Sequence, residues 1–174
     1  MSRKKIIAGN WKMNIKPSET AALVKAVAKA TKAYANKVEV VCCTPAIDVC
    51  AAVGAAKGTK VGIGTENCHW EDHGAYTGEI STGMIVDIGA KYVITGHSER
   101  RQYFGETDET VNKRTAAATA AGTSIAGVQQ TMSTPLKSLV ASATPFTRAA
   151  VSDGLTFIFQ LPAMIFFLLI LFFL

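Results

Sequence analysis

Four short apolar runs punctuate the first part of the chain: Lys5-Ile6-Ile7-Ala8-Gly9, Val38-Glu39-Val40-Val41-Cys42-Cys43, Lys60-Val61-Gly62-Ile63-Gly64 and Tyr92-Val93-Ile94-Thr95-Gly96. Each is rich in β-branched residues and closed by glycine, proline or a polar residue. Continuous rather than alternating apolar character at this length predicts strands buried on both faces. Helical patterns lie between them. Ser18, after Pro17, is placed to cap a helix over Glu19 to Tyr34 in which Leu23, Val27 and Ala30 share a face. Ile47 to Ala56 reads as a shorter helix, and Thr82 to Ile88 as another that stops at Gly89. Thr107 caps a helix that begins at Asp108-Glu109 and runs through Ala116–Ala121 to Gly122. Thr123 to Val128 reads as a fifth, weaker strand. Strand and helix alternating in units of about 20–35 residues predict an α/β fold with a parallel sheet. The pattern alone does not separate a closed barrel from an open doubly wound sheet.

The alternation does not persist. Residues 1–114 carry 16 of the 18 Lys and Arg and 12 of the 13 Asp and Glu, whereas residues 115–174 carry only Lys137, Arg148 and Asp153. From about Ser133 to Gly154 no firm element is expected. Leu155 to Leu174 is uncharged and almost wholly apolar, long enough to cross a bilayer as a helix, although Gln160 and Pro162 interrupt it. The formal net charge of +5 is spread over separate lysines with no basic stripe, which argues against nucleic-acid binding. The four cysteines form no staple pattern and no secretory leader stands at the N-terminus, so a cytoplasmic chain with reduced thiols is expected.

Chemistry-bearing residues cluster where strands end, the place at which parallel α/β folds bind ligands. The first run is followed by Gly9-Asn10-Trp11-Lys12-Met13-Asn14, the fourth by Gly96-His97-Ser98-Glu99-Arg100-Arg101. A lysine at a buried strand terminus needs a partner, and Glu99 is the obvious one. Arg100 and Arg101 read as structural ion pairs in preference to a phosphate clamp. Cys68-His69-Trp70-Glu71-Asp72-His73 has metal-ligand residue types at short spacing.

The stretches GNWKMN (9–14), TENCHWEDHGAYTGEIS (65–81) and YVITGHSERRQYFGETDETVNKR (92–114) resemble triosephosphate isomerase. The likeness is nearly continuous from Ile6 to about Gly122 and can be laid on the chain to about residue 132. It implies a β/α (TIM) barrel, here about its first four to five β/α units, as an N-terminal part over 1–132, followed by an unmatched low-charge segment over 133–174 that ends in the apolar tail 155–174. It implies interconversion of glyceraldehyde 3-phosphate and dihydroxyacetone phosphate, a step of glycolysis and gluconeogenesis, through an enediolate. It implies no cofactor and no metal, the Cys68–His73 stretch matching a loop that binds none. Asn10 and Lys12 match substrate-binding residues and His97 the electrophilic histidine. Glu99 matches the carboxylate beside the lysine, and Ser98 a hydroxyl near the catalytic base. Thr77 matches a threonine that crosses to the partner in the family's homodimer. In this family the histidine is kept neutral by a helix N-terminus, a property carried over with the resemblance and not read from these residues. A fixed ammonium at Lys12 would stabilise enediolate and phosphate charge.

The family's mechanism also needs a glutamate base and glycine-rich turns that grip phosphate through backbone N–H groups. After Glu109 the sequence holds no glutamate, and its later glycines are only Gly122, Gly127 and Gly154. Gln129-Gln130 stand where the family has a glycine-glutamate pair. The chain is therefore expected to be an impaired isomerase with two open sheet edges. The loss of charge and motif reads as translation past a frame error or unspliced junction. The alternative function is a non-catalytic half barrel, tethered to a membrane through residues 155–174.

Overall fold

In the computed structural model the described residues are 5–128 and 156–159, with side chains described through Ile125. Six strands form one parallel sheet: β1 (Lys5–Asn10), β2 (Val38–Thr44), β3 (Val61–Thr65), β4 (Tyr92–Thr95), β5 (Ser124–Val128) and β6 (Thr156–Phe159). Their order across the sheet is β5-β4-β3-β2-β1-β6. The first five are neighbours in sequence order, with no reversal of the kind that defines a doubly wound sheet. The sheet curls until Cα atoms of β5 come within 8 Å of β1 and β6 at its other side. The ambiguity left by the sequence pattern is thus resolved as part of a barrel.

Residue alternation along the strands explains the curl. Val40 and Cys42 of β2, Ile63 of β3 and Val93 of β4 face a helical layer that includes Val24 and Val27 of α1 (Pro17–Thr31), Val49 and Ala52 of α2 (Val49–Ala56), Ile85 of α3 (Thr82–Asp87) and Ala118 of α5 (Asp108–Ala120). Val41 and Cys43 of β2 instead meet Ala8 of β1 and Tyr92 and Ile94 of β4 on the concave side. Both faces are therefore dry, as parallel strands require. β3 contributes Gly62 and Gly64 to that concavity. A Cβ on Gly62 would lie 2.5 Å from the Tyr92 ring, and one on Gly64 2.8 Å from the Tyr92 Cβ. The glycines make room for the ring, whose hydroxyl donates to Glu39.

Helix starts follow local chemistry, with corrections to the expected ones. α1 begins at Pro17, not after Ser18, and its N-cap is Lys16. Proline's fixed φ and missing N–H suit the first helical position, which moves Ser18 inside the first turn. Glu19 Oε2 accepts the Lys16 backbone N–H at 3.3 Å. The buried side of α1 is Thr20, Val24, Val27 and Thr31, and residues Lys32–Tyr34 tighten into a 3₁₀ turn. A similar turn, Ala46–Asp48, precedes α2, where a continuous helix from Ile47 is expected from the sequence. Ser81 caps α3, and Thr107 caps α5 as its sequence predicts. One further helix, α4 (Ser98–Phe104), is absent from the sequence reading.

β6 moves one of the two expected open edges outward from β1, and the described sheet ends at β5 and at β6. It pairs in parallel with β1 over Ile6↔Thr156, Ile7↔Phe157, Ala8↔Ile158 and Gly9↔Phe159. Four residues of the apolar tail are therefore strand, not part of a continuous helix over 155–174. The rest of that tail, and the segment 133–154, lie outside the described residues. No helix among the described residues is long and apolar enough to cross a membrane.

Candidate active site

Two strand ends, β1 and β4, meet at the carboxyl mouth of the sheet. β1 runs out at the buried Asn10, whose Oδ1 accepts the Lys12 backbone N–H at 3.0 Å. The Trp11 N–H donates to the Cys43 carbonyl at 2.9 Å, holding the turn against β2. Asn14 Nδ2 closes it by donating to the Trp11 carbonyl at 2.8 Å. Within this turn Lys12 has φ 55°, the only non-glycine positive φ among the described residues. A side chain in the left-handed region costs roughly 1–2 kcal/mol, a strain retained only where the surroundings impose it. The turn delivers Lys12 Nζ to Glu99 Oε1 at 2.6 Å.

β4 ends at Thr95, and Gly96 turns the chain with φ 65°. A Cβ there would sit 2.8 Å from Val111 Cγ1, so α5 packs directly against this turn. His97 then caps α4, its Nδ1 accepting the Glu99 backbone N–H at 3.2 Å. A ring nitrogen that accepts carries no proton, which puts the neutral tautomer's proton on Nε2. The ring is 3% exposed. Burial, above all, holds its pKa below the ordinary 6.5; the Glu99 charge works the other way and the Lys12 charge adds to the lowering. The first turn of a helix also disfavours a cation. Glu99 Oε2 lies 3.6 Å from His97 Nδ1. One carboxylate thus stands between a fixed ammonium and a neutral imidazole.

Beside Lys12 an open cleft of ≈ 280 Å³ is lined by Met13, Glu66, Asn67, Glu79 and Arg100 among others. A neutral N–H donor and an ammonium at one mouth can bind an anion and stabilise an oxygen as it gains negative charge.

A family model described as triosephosphate isomerase matches residues 5–137. The chain belongs to the triosephosphate isomerase family. Triosephosphate isomerase of Lactobacillus delbrueckii subsp. bulgaricus is 52% identical over 122 residues, covering 70% of this chain and 48% of that protein. The same enzyme of Acetivibrio thermocellus is 53% identical over 118 residues, covering 68% and 46%. A solved triosephosphate isomerase from Bartonella henselae aligns with a TM-score of 0.65 at 37% identity, covering 71% of this chain and 50% of that one. The chain spans about half the length of the curated relatives it matches.

Of the residues singled out from the triosephosphate isomerase motifs, Asn10, Lys12, His97 and Glu99 come together as described. Ser98 opens α4 and is exposed. Thr77 is exposed on the loop that follows β3. Arg100 and Arg101 form ion pairs within the protein, with Glu106 Oε1 at 2.5 Å and Asp108 Oδ1 at 2.7 Å. The Cys68–His73 stretch is used structurally. Cys68 is buried, and His69 Nδ1 accepts the Glu71 N–H at 3.0 Å while its ring stacks on Trp70 at 4.2 Å. Among the described residues no group of three or more His, Cys, Asp or Glu is arranged to hold a metal ion.

Sequence reasoning missed Glu66. It directly follows β3, so the strand-end rule that selected Lys12 and His97 would have found it. Its Oε1 is buried without a hydrogen-bond partner. Burial, foremost, pushes its carboxyl up to about 8 from 4.5; the Lys12 backbone N–H opposes this, and the Asp48 and Glu99 charges add to it. The unfolded chain releases this proton near pH 4.5 and the folded chain only near pH 8. Stability should therefore fall as pH rises through that window and level off above it. Glu66→Gln, which keeps the shape and removes the charge, is expected to raise the melting temperature by about 10 °C at pH 8.5 and by little at pH 4.5, a gain on the order of a few kcal/mol. Equal melting shifts at the two pH values would show that the charge is not the cause.

Proposed function

We propose that this chain carries the electrophilic half of a triosephosphate isomerase site and serves the interconversion of glyceraldehyde 3-phosphate and dihydroxyacetone phosphate. The observation that carries the reading is the meeting of Lys12 and His97 at Glu99, a residue 87 positions from Lys12 in sequence. Removing a proton beside a carbonyl moves charge onto oxygen. His97 Nε2–H is the donor that polarises this oxygen, and Lys12 the cation that stabilises the enediolate and attracts the phosphate. A neutral imidazole is well matched to this work, since it donates a hydrogen bond without surrendering a proton outright. Asn10 fixes the Lys12 turn and contributes to substrate binding. Glu99 holds the ammonium in place, and Ser98 matches the family's hydroxyl near the proton-abstracting carboxylate.

The base and the phosphate-gripping turns are not among the residues of this chain that match the family. The isomerisation therefore needs them supplied by further polypeptide, and the chain by itself is impaired. A homodimer of the family type is supported by Thr77 on its exposed loop and by the exposed apolar side chains of Met13 (96%), Ile47 (75%) and Tyr76 (44%). The four free cysteines fit a reducing, cytoplasmic setting.

The test is a chimera joining residues 1–122 to the matching remainder of the Lactobacillus delbrueckii enzyme. The chimera should isomerise triosephosphates, and His97→Gln or Lys12→Ala should lower kcat/KM by about 10²-fold or more. A folded chimera whose activity ignores both substitutions would end the reading.

A further inference from the structure

We propose that the amino-terminal end of the sheet is a docking surface for an anionic lipid bilayer, built from Lys5, Lys37, Lys57, Lys60 and Lys91. These lysines are scattered in sequence, and folding gathers them. Lys5 opens β1, and Lys37, Lys60 and Lys91 directly precede β2, β3 and β4. The four strands are parallel neighbours. Their starts therefore lie at one end, on strands roughly 4.8 Å apart. Lys57 is the C-cap residue of α2, which runs back to the same end. All five lysines are exposed. None takes part in an ion pair among the described residues.

The acids go to the other end. Of the described carboxylates, only Glu39, near the start of β2, and Asp87, at the close of α3, stand with the lysines, and Glu39 is taken up by the Tyr92 hydroxyl. The rest follow strands or open helices at the carboxyl mouth, Glu66, Glu79, Glu99 and Glu106 among them. The protein is thus a charge dipole along its strands. A negative surface attracts one end and repels the other, which turns the Lys12–His97 mouth away from the surface. Lipid fits better than nucleic acid. The described arginines, Arg100, Arg101 and Arg114, and the exposed aromatics Tyr76, Tyr103 and Phe104 belong to segments that follow β3 and β4 at the mouth. The basic end therefore has no described group that reads bases or stacks on them. Lysine clusters of this size suit diffuse headgroup charge. The inference is independent of the catalytic reading, because none of the five lysines lies at the mouth.

Vesicle flotation with the full 174-residue chain tests it. Phosphatidylcholine vesicles are compared with vesicles that also contain about one-third phosphatidylserine. Attachment through the uncharged tail 155–174 would be equal on the two and insensitive to salt. The anionic vesicles should bind the chain at least about tenfold more tightly in about 0.05 M salt, and the preference should vanish in about 0.5 M. Lys37→Gln, Lys60→Gln and Lys91→Gln together should lower the preference by about tenfold or more, since each lysine near an anionic surface is worth about fivefold. Lys16→Gln, Lys25→Gln and Lys113→Gln together remove the same charge elsewhere and should leave most of it in place. Equal losses in the two triple variants would overturn the proposal, as would equal binding to the two vesicle types. Tighter binding to a short DNA duplex than to the anionic vesicles would overturn it as well.

Discussion

Assayed alone, the 174-residue chain is expected to convert glyceraldehyde 3-phosphate at least about 10²–10⁴-fold more slowly than full-length members of its family. That range is what a positioned general base contributes, and Glu99 and Glu106 near the mouth are committed to ion pairs. Glu99 holds Lys12 Nζ at 2.6 Å, and Glu106 holds Arg100 Nε at 2.5 Å. No glutamate follows Glu109 in the sequence. A missing backbone phosphate grip would add to the deficit, because binding energy from a non-reacting phosphate can be used to orient the carbon centre. The measurement is a coupled assay on the purified chain beside the Lactobacillus delbrueckii enzyme. Turnover near that of the whole enzyme would mean that a residue of this chain abstracts the proton. Glu66, in the cleft beside Lys12 with its pKa pushed up to about 8, would then be the first to replace.

Glu106→Ala is expected to destabilise the fold by about 3–5 kcal/mol, the usual cost of orphaning a buried ion. Glu106 and Arg114 are 7% and 6% exposed. The carboxylate lies 2.5 Å from Arg100 Nε and 3.5 Å from Arg114 Nε, linking α4 to α5. Arg114 in turn reaches the loop after β3, donating to Asn67 Oδ1 at 3.1 Å and to the Cys68 carbonyl, with Glu79 at 3.6 Å. Asn67, Glu79 and Arg100 all line the cleft, so the network that stabilises the fold also shapes the candidate site. Without the carboxylate, Arg114 stays buried with only the distant, partly exposed Glu79 to balance it. Thermal unfolding should show the melting temperature of Glu106→Ala lowered by about 10 °C or more. Glu106→Gln, which can still accept a hydrogen bond, should lose less. A change within about 2 °C for the alanine variant would show that the guanidiniums find other compensation.

The strands β1–β5 are legible in the sequence because a parallel strand buried on both faces leaves an apolar run, and glycine, proline or a polar residue closes each one. Lys12, His97 and Glu99 are legible for a different reason: long motifs surround them, and a charge next to a buried strand demands a partner. Misreadings arise where tertiary contacts decide. α4 has no apolar period, since Ser98-Glu99-Arg100-Arg101-Gln102 is polar throughout, and its helix depends on the His97 cap and on Gly105 with φ 67° at its end. α1 starts two residues before Glu19 because Pro17 claims the first helical position. Glu66 stands at a strand end and is open to the same rule, but the burial of its Oε1 is visible only in the folded chain. β6 has a bilayer-like composition and becomes strand because β1 offers it an edge.

The buried sulfurs of the sheet give the protein an internal clock. Cys42 and Cys43 sit back to back on the two faces of β2 and Cys68 lies beneath α5, all three buried, whereas Cys50 is exposed. Only a thiolate attacks an alkylating reagent, and burial pushes Cys42 and Cys68 up to about 12 and Cys43 also well above its ordinary value. In the intact protein one thiol should be labelled promptly and three only as fast as the sheet opens. Counting labelled cysteines against time therefore reads the opening rate of the half barrel directly, without any substitution.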